Sequence, residues 1–129
     1  MDDRTQEHLA GAREKLDRED FEGALGHLEK IHEVDANTVE VLHEKAFAHI
    51  GLGEMEAALD CYDAAVRLGN ADADLWNDRA FTFLEMGRYS EAEESAKKAL
   101  GLDPKHFAAL CNLGKAELEL GENVKALEL

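Results

Sequence analysis

The amino-acid sequence predicts an all-α fold built from repeated antiparallel helix pairs, and three observations predict it. A period of 34 residues runs through the chain without an insertion, as the series Ala24, Ala58, Ala92 and Ala126 shows. Within each period apolar residues follow helical spacing, and turn-forming residues recur at fixed places. Each period is therefore interpreted as one structural unit that stacks on its neighbours.

Each period is predicted to contain two helices of roughly three to four turns. In the second period Leu42, Ala46 and Ile50 share one face of the first helix, and Ala58 and Tyr62 share one face of the second. Turns inside the pairs are predicted at Glu19-Asp20, Gly53-Glu54, Gly87-Arg88 and Gly121-Glu122. Turns between the pairs are predicted near Asp35-Ala36-Asn37, Gly69-Asn70 and Asp103-Pro104.

The period divides residues 1–129, taken as one array, into units at about 5–38, 39–72, 73–106 and 107–129. The fourth unit is incomplete, because a full period would run to about residue 140. We therefore expect the sequence to be a fragment of a longer array.

The third unit carries the motif Trp76-x2-Arg79-Ala80-x2-Phe83, followed by Tyr89, Ala92, Ala99 and Asp103-Pro104. This motif resembles the tetratricopeptide repeat family, and the resemblance covers essentially the whole chain. It implies a right-handed superhelix of about three and a half repeats. It also implies that the first helices line a concave groove, which binds a peptide or helix of a partner protein.

The first unit departs from the family pattern. It has His8 where an aromatic residue is usual and Gly11 where leucine is usual. We expect loose packing of the first helix as a result.

The charge balance excludes several classes of partner. The chain has 29 acidic residues against 14 Lys and Arg, a net charge of −15 that repels nucleic acid and anionic membrane surfaces.

No apolar run approaches the ~20 residues that a bilayer requires. The polar segment Met1–Glu7 does not resemble a secretory signal, so a cytoplasmic location is expected. Cys61 and Cys111 are predicted to be reduced thiols.

No motif of a cofactor, metal or catalytic site is found in the sequence. It contains no HExxH, GxGxxG, GxxxxGK[ST] or GxSxG string, and no motif pairs Cys111 with a histidine. His43 and His49 are six residues apart and would lie on different faces of a helix. His27, His32 and His106 are expected at outer or boundary positions. The chain is predicted not to be an enzyme and to need no cofactor.

The resemblance implies a peptide-binding site on the inner face of the first helices. The residues expected to contact a ligand are Arg13, His43, Phe47, Asn77, Phe81, Leu84 and Lys115. Phe47 and Phe81 hold equivalent positions one repeat apart, where they form either an apolar binding surface or part of the core. Arg13 and Lys115 either hold carboxylates of the ligand or are solvated charges.

The leading prediction of function is a protein-interaction scaffold that binds a peptide or helix in the groove. One alternative is self-assembly to a homo-oligomer through apolar residues near the C-terminus. These residues are Leu118, Leu120, Val124, Leu127 and Leu129. Another alternative is a targeting or regulatory segment of a larger multidomain protein.

Overall fold

A computed structural model describes residues 2–127, without the side chains of Glu33, Val34 and residues 123–127. All regular secondary structure of the described residues is helical, which confirms the all-α prediction. The helices are α1 (Asp3–Asp17), α2 (Phe21–Glu29), the single turn α3 (Glu33–Ala36), α4 (Val39–Gly51), α5 (Met55–Arg67), α6 (Ala73–Glu85), α7 (Tyr89–Leu102) and α8 (Phe107–Leu127).

The helices form two compact units, Met1–Ala71 and Asp72–Leu129. In the first unit α1 packs on α2, α2 packs on α4, and α4 packs on α5. In the second unit α6 packs on α7, and both pack on α8. The two helices of each pair therefore pack on one another. Each pair also packs on a neighbouring helix of the same unit, as expected for a repeat protein.

Side-chain caps fix where the first helices of the repeats begin. The Asp2 carboxylate accepts a hydrogen bond from the Thr5 amide, and the Asp72 carboxylate accepts one from the Leu75 amide, at 2.8 and 2.9 Å. Thr38 caps α4 in the same way. Such a cap contributes about 1 kcal/mol by satisfying an amide that the helix leaves unpaired.

The turns inside the helix pairs use a left-handed backbone at one repeated position. Gly53 and Gly87 have φ of 77° and 74°, and Glu19 holds the equivalent position with φ of 60°. Glycine adopts this conformation without a steric penalty, whereas an L-residue such as Glu19 is strained by roughly 1–2 kcal/mol.

The turn predicted at Gly121–Glu122 is wrong, because α8 continues without a break to Leu127. Gly121 follows the same period as Gly53 and Gly87, but its φ is not positive. A glycine lowers the stability of a helix by only about 1 kcal/mol, which continued backbone hydrogen bonding can offset.

The expected loose packing of α1 is also wrong. Leu9 and Ala12 are fully buried in an apolar cluster that includes Ala24 and Leu28. The space that a side chain at Gly11 would occupy is filled by the imidazole of His27, whose Cε1 lies 2.8 Å from the position of a Cβ there. His27 therefore packs between α1 and α2, and its Nδ1 is buried without a hydrogen-bond partner in the described part of the chain. The sequence predicted an outer or boundary position for His27, whereas its ring packs against Gly11 of α1.

The contact between Gly11 and His27 recurs in altered form in the later repeats. In the third repeat the equivalent residues are Arg79 and Ser95, and the Arg79 guanidinium donates a hydrogen bond of 2.6 Å to the Ser95 hydroxyl. In the second repeat the equivalent residues are Lys45 and Cys61. The later repeats thus place the large residue on the first helix, and the first repeat places it on the second.

Phe83 is the aromatic centre of the second unit. Its side chain is 2% exposed and packs in a core that contains Leu75, Ala80 and several alanines of α7. The guanidinium carbons of Arg79 and Arg88 lie 4.8 and 4.9 Å from the centre of its ring. Both distances are typical of cation–π contacts, so the ring stabilises the unit through apolar burial and through these two cations.

His106 caps α8 and also contacts α6. Its Nδ1 accepts a hydrogen bond of 3.1 Å from the Ala109 amide, and its Nε2 lies 2.7 Å from a carboxylate oxygen of Asp74. Because Nδ1 accepts, Nε2 carries the proton and donates to Asp74. His106 is therefore largely buried between these elements, unlike the exposed His32.

Candidate functional site

A cleft between α1 and α4 in the first unit brings together three of the predicted ligand contacts. Arg13, His43 and Phe47 line it, and its volume is about 420 Å³. Clefts of 300–1,000 Å³ are typical of ligand sites in proteins, so this one is large enough to receive a few side chains of a partner. Its remaining lining residues are Leu16, Asp17 and Glu44.

Phe47 is the main apolar surface of the cleft. Its side chain is 53% exposed, although the residues before and after it, Ala46 and Ala48, are fully buried. His43 lies one helical turn before Phe47 and is half-buried, with its ring centre 6.1 Å from that of the buried Tyr62. The alternative in which Phe47 belongs to the core does not fit this exposure.

Arg13 is held by two carboxylates of α4. Its Nη2 donates to Glu40 at 2.5 Å, and its Nε donates to Glu44 at 3.2 Å. The hydrogen bond to Glu40 is the main cause that raises the pKa of the Arg13 guanidinium above its usual range. Arg13 thus connects α1 to α4 across the cleft, and its charge is already compensated within the first unit.

The other predicted contacts lie in the second unit and differ in exposure. Phe81 is 42% exposed, Lys115 is exposed and Leu84 is half-buried. Asn77 is buried, and its Oδ1 accepts a hydrogen bond of 2.7 Å from Nδ2 of Asn112. Asn77 therefore links α6 to α8, and its side-chain oxygen is already used within the protein.

Sequence reasoning missed Leu16, Asp17 and Glu44 as lining residues of the cleft. Leu16 and Asp17 follow Arg13 by three and four residues, so they share its side of α1. Glu44 lies three residues before Phe47 on α4 and contacts Arg13. The helical spacing of the two predicted residues, Arg13 and Phe47, was the signal that could have found all three.

Among the described residues, no group of three or more His, Cys, Asp or Glu side chains is arranged to hold a metal ion. Burial raises the pKa of the Cys61 thiol above its usual value, which favours the unreactive protonated form. Cys111 is exposed on α8. No helix in the described part of the chain combines the length and hydropathy needed to span a membrane.

Family models of the tetratricopeptide repeat (TPR) match residues 39–71 and 73–106, together more than half of the chain. The chain belongs to the tetratricopeptide repeat family. Its fold is that of an all-α TPR array of about three and a half repeats. TPR arrays are protein-interaction modules and are typically not catalytic.

Relatives and solved structures of known TPR proteins resemble the array. The chain is 36% identical over 81 residues to a Protein SGT1 homolog of Oryza sativa subsp. japonica, which covers 63% of this chain and 22% of that protein. The chain thus spans about a fifth of the length of this relative. The NMR structure of the first TPR domain of human RPAP3 has a TM-score of 0.85 at 17% identity, covering 94% of this chain and 95% of that domain.

A second solved structure shows a related domain with a ligand. It is the second TPR domain of human RPAP3 in complex with the HSP70 peptide SGPTIEEVD. Its TM-score is 0.78 at 16% identity, and it covers 88% of this chain and 95% of that domain. At this identity the likeness is one of fold.

Proposed function

We propose that this TPR array is a scaffold that binds an extended peptide or helix of a partner protein, with Phe47 as an apolar anchor. The observation that carries the proposal is the exposed ring of Phe47 in the cleft between α1 and α4. A large aromatic side chain that remains exposed beside a concave surface is typical of binding hot spots, because a ligand removes its apolar surface from water.

The lining of the cleft supports recognition of a short segment with one or two buried side chains. Phe47 and Leu16 provide apolar contact, whereas Arg13, Asp17 and Glu44 supply charged groups around it. Such a mixture of apolar contact with a few polar groups gives both affinity and orientation. The peptide complex of the related RPAP3 domain supports peptides as the class of ligand.

The proposal extends to the second unit, considered by itself. Phe81 holds the position of α6 that is equivalent to Phe47 in α4, and it is exposed to a similar degree. Leu84 and Lys115 are proposed as further ligand contacts in that unit, whereas the buried Asn77 is proposed to orient α6 through Asn112.

The test compares Phe47→Ala with Leu102→Ala. Both remove an exposed apolar side chain, but Leu102 lies at the end of α7, is 58% exposed and does not line the cleft. Partners captured from cell extract by the wild-type chain are identified by mass spectrometry, and their affinities for purified variants are then measured by calorimetry. We expect Phe47→Ala to weaken binding by about 30-fold, the effect of losing a contact of ~2 kcal/mol.

Circular dichroism and thermal unfolding serve as the control for folding of both variants. We expect the two variants to unfold within a few degrees of the wild type, since exposed side chains contribute little to stability. Equal capture of the same partners by the wild type and by Phe47→Ala would contradict the proposal.

A second candidate function, self-association, is favoured by the exposed face of α8. Phe107, Leu110, Cys111, Gly114 and Leu118 recur at helical spacing and are all exposed. On the opposite side of α8, Ala109, Asn112 and Ala116 are buried. Leu120 is half-buried, and the side chains of Val124, Leu127 and Leu129 lie outside the described residues.

Leu118→Glu is expected to abolish self-association through this face, because it places a carboxylate in the apolar stripe. Gln6→Glu adds the same charge at an exposed position of α1 and serves as the control. Light scattering at high protein concentration measures the oligomeric state, in 0.5 M salt as well, since the net charge of −15 opposes association at low salt. A wild-type monomer under both conditions would exclude this candidate.

A further inference from the structure

We propose that the segment bound in the cleft between α1 and α4 is cationic, with an apolar side chain flanked by lysine or arginine. This inference rests on the proposed function, since it names the chemistry of the ligand of the same cleft. It follows from the charges in and around the cleft and from the internal pairing of Arg13.

Negative charge is in excess around the cleft. Asp17, Glu40 and Glu44 provide three carboxylates, and the guanidinium of Arg13 contacts two of them, Glu40 and Glu44. Asp17 is exposed and forms no ion pair with another residue in the described part of the chain. Arg13 compensates one of these three negative charges, so two of them remain uncompensated. This excess of negative charge favours a cationic ligand.

The nearest basic residues, Lys15 of α1 and Arg18 directly after it, do not compensate this charge. Arg18 pairs with Glu14 at 2.9 Å, and Lys15 lies 3.7 Å from Asp20. Asp17 is also the last residue of α1, where the unpaired carbonyl groups of the helix carry a partial negative charge. The end of the cleft formed by Leu16 and Asp17 is therefore acidic and lies beside the apolar surface.

The geometry of Arg13 also disfavours an anionic ligand. A carboxylate of the ligand would have to compete with Glu40 and Glu44 for the guanidinium while approaching Asp17. A lysine or arginine of the ligand would instead share Glu44, whose bond to Arg13 is the longer of the two. Arg13 thus competes with a cationic ligand for Glu40 and Glu44 instead of holding a carboxylate of the ligand, which was one of the two roles considered from the sequence.

The experiment selects peptides from a random library displayed on phage, with the wild-type chain as target. Selected peptides are synthesised together with versions in which each Lys or Arg is replaced by Gln, and their dissociation constants are measured by fluorescence anisotropy. The variants are Arg13→Gln, Asp17→Asn, Phe47→Ala and a matched control, Asp60→Asn. Asp60 is an exposed aspartate of α5 that does not line the cleft, so its variant reports the effect of net charge alone.

We expect the selected peptides to combine an apolar residue with an excess of Lys and Arg. Asp17→Asn should weaken their binding by about fivefold, as expected for one exposed ion pair, and Asp60→Asn should leave it unchanged. Arg13→Gln should tighten their binding by a similar factor, because it releases Glu40 and Glu44 for the ligand. Thermal unfolding of each variant verifies that the first unit remains folded.

The failure of this inference can be distinguished from the failure of the proposed function. Peptides that require Phe47 but are neutral or acidic, or that bind more weakly to Arg13→Gln, overturn the cationic ligand and leave the apolar anchor in place. Equal effects of Asp17→Asn and Asp60→Asn on peptide affinity overturn the cationic ligand of the cleft as well. They would show that affinity depends on the net charge of the protein and not on the carboxylate of Asp17. A selection that yields no peptide dependent on Phe47 overturns both proposals.

Discussion

Phe83→Ala is expected to lower the free energy of unfolding by about 3–5 kcal/mol, the usual cost of removing a buried phenyl ring. The ring is 2% exposed, and its loss leaves a cavity between α6 and α7. It also removes the aromatic face that Arg79 and Arg88 contact. Urea unfolding followed by circular dichroism measures the change.

Phe81→Ala is the matched control, since it makes the same substitution two residues earlier in the same helix. Phe81 is exposed, so we expect its replacement to change the free energy of unfolding by less than about 1 kcal/mol. Similar losses for the two variants would show that burial of Phe83 is not what stabilises the second unit. The two positions therefore separate the contribution of a buried ring from that of an exposed ring.

Gly51→Ala is expected to destabilise the protein by about 1–3 kcal/mol, although alanine is the better helix former. A Cβ at Gly51 would overlap the ring of Phe21, which packs against the core of the first unit. Gly101→Ala is expected to have the opposite sign, with a gain of up to about 1 kcal/mol. An added Cβ at Gly101 in α7 would meet no described atom within 4 Å beyond its chain neighbours and its own helix backbone.

Both glycine variants are measured by the same urea unfolding experiment, and a Phe21→Ala background identifies the cause. In that background the overlap is removed, so Gly51→Ala should become neutral or stabilising. A destabilisation that persists without the Phe21 ring would argue against the contact between α2 and α4 as its origin.

Much of the fold could be predicted from the sequence, because the period of 34 residues and the helical spacing are local signals. Gly53 and Gly87 end their helices as predicted, since each adopts a positive φ. Gly121 shares the period but does not end α8, because glycine permits a left-handed turn without requiring it. Residue identity alone could not separate these cases.

The candidate site was predictable where it depends on helical spacing and less so where it depends on contacts between helices. The position of Phe47 on α4 predicted its exposed ring as one of two alternatives. The pairing of Arg13 with Glu40 and the hydrogen bond between Asn112 and Asn77 join residues about 30 positions apart. Such contacts depend on how helices pack, and no local pattern reports them. The cytoplasmic location and the boundaries of the individual repeats stay predictions.

The packing of His27 into the space beside Gly11 has an evolutionary consequence. A side chain acquired at position 11 would collide with the imidazole, and a small residue acquired at position 27 would leave a void beside the glycine. Either single substitution therefore lowers the stability of the protein. The reverse arrangement, with a large residue on the first helix and a small one on the second, is present as Arg79 and Ser95 in the third repeat. Residues 11 and 27 are therefore expected to covary among homologous sequences, with one substitution tolerated only in the presence of the other.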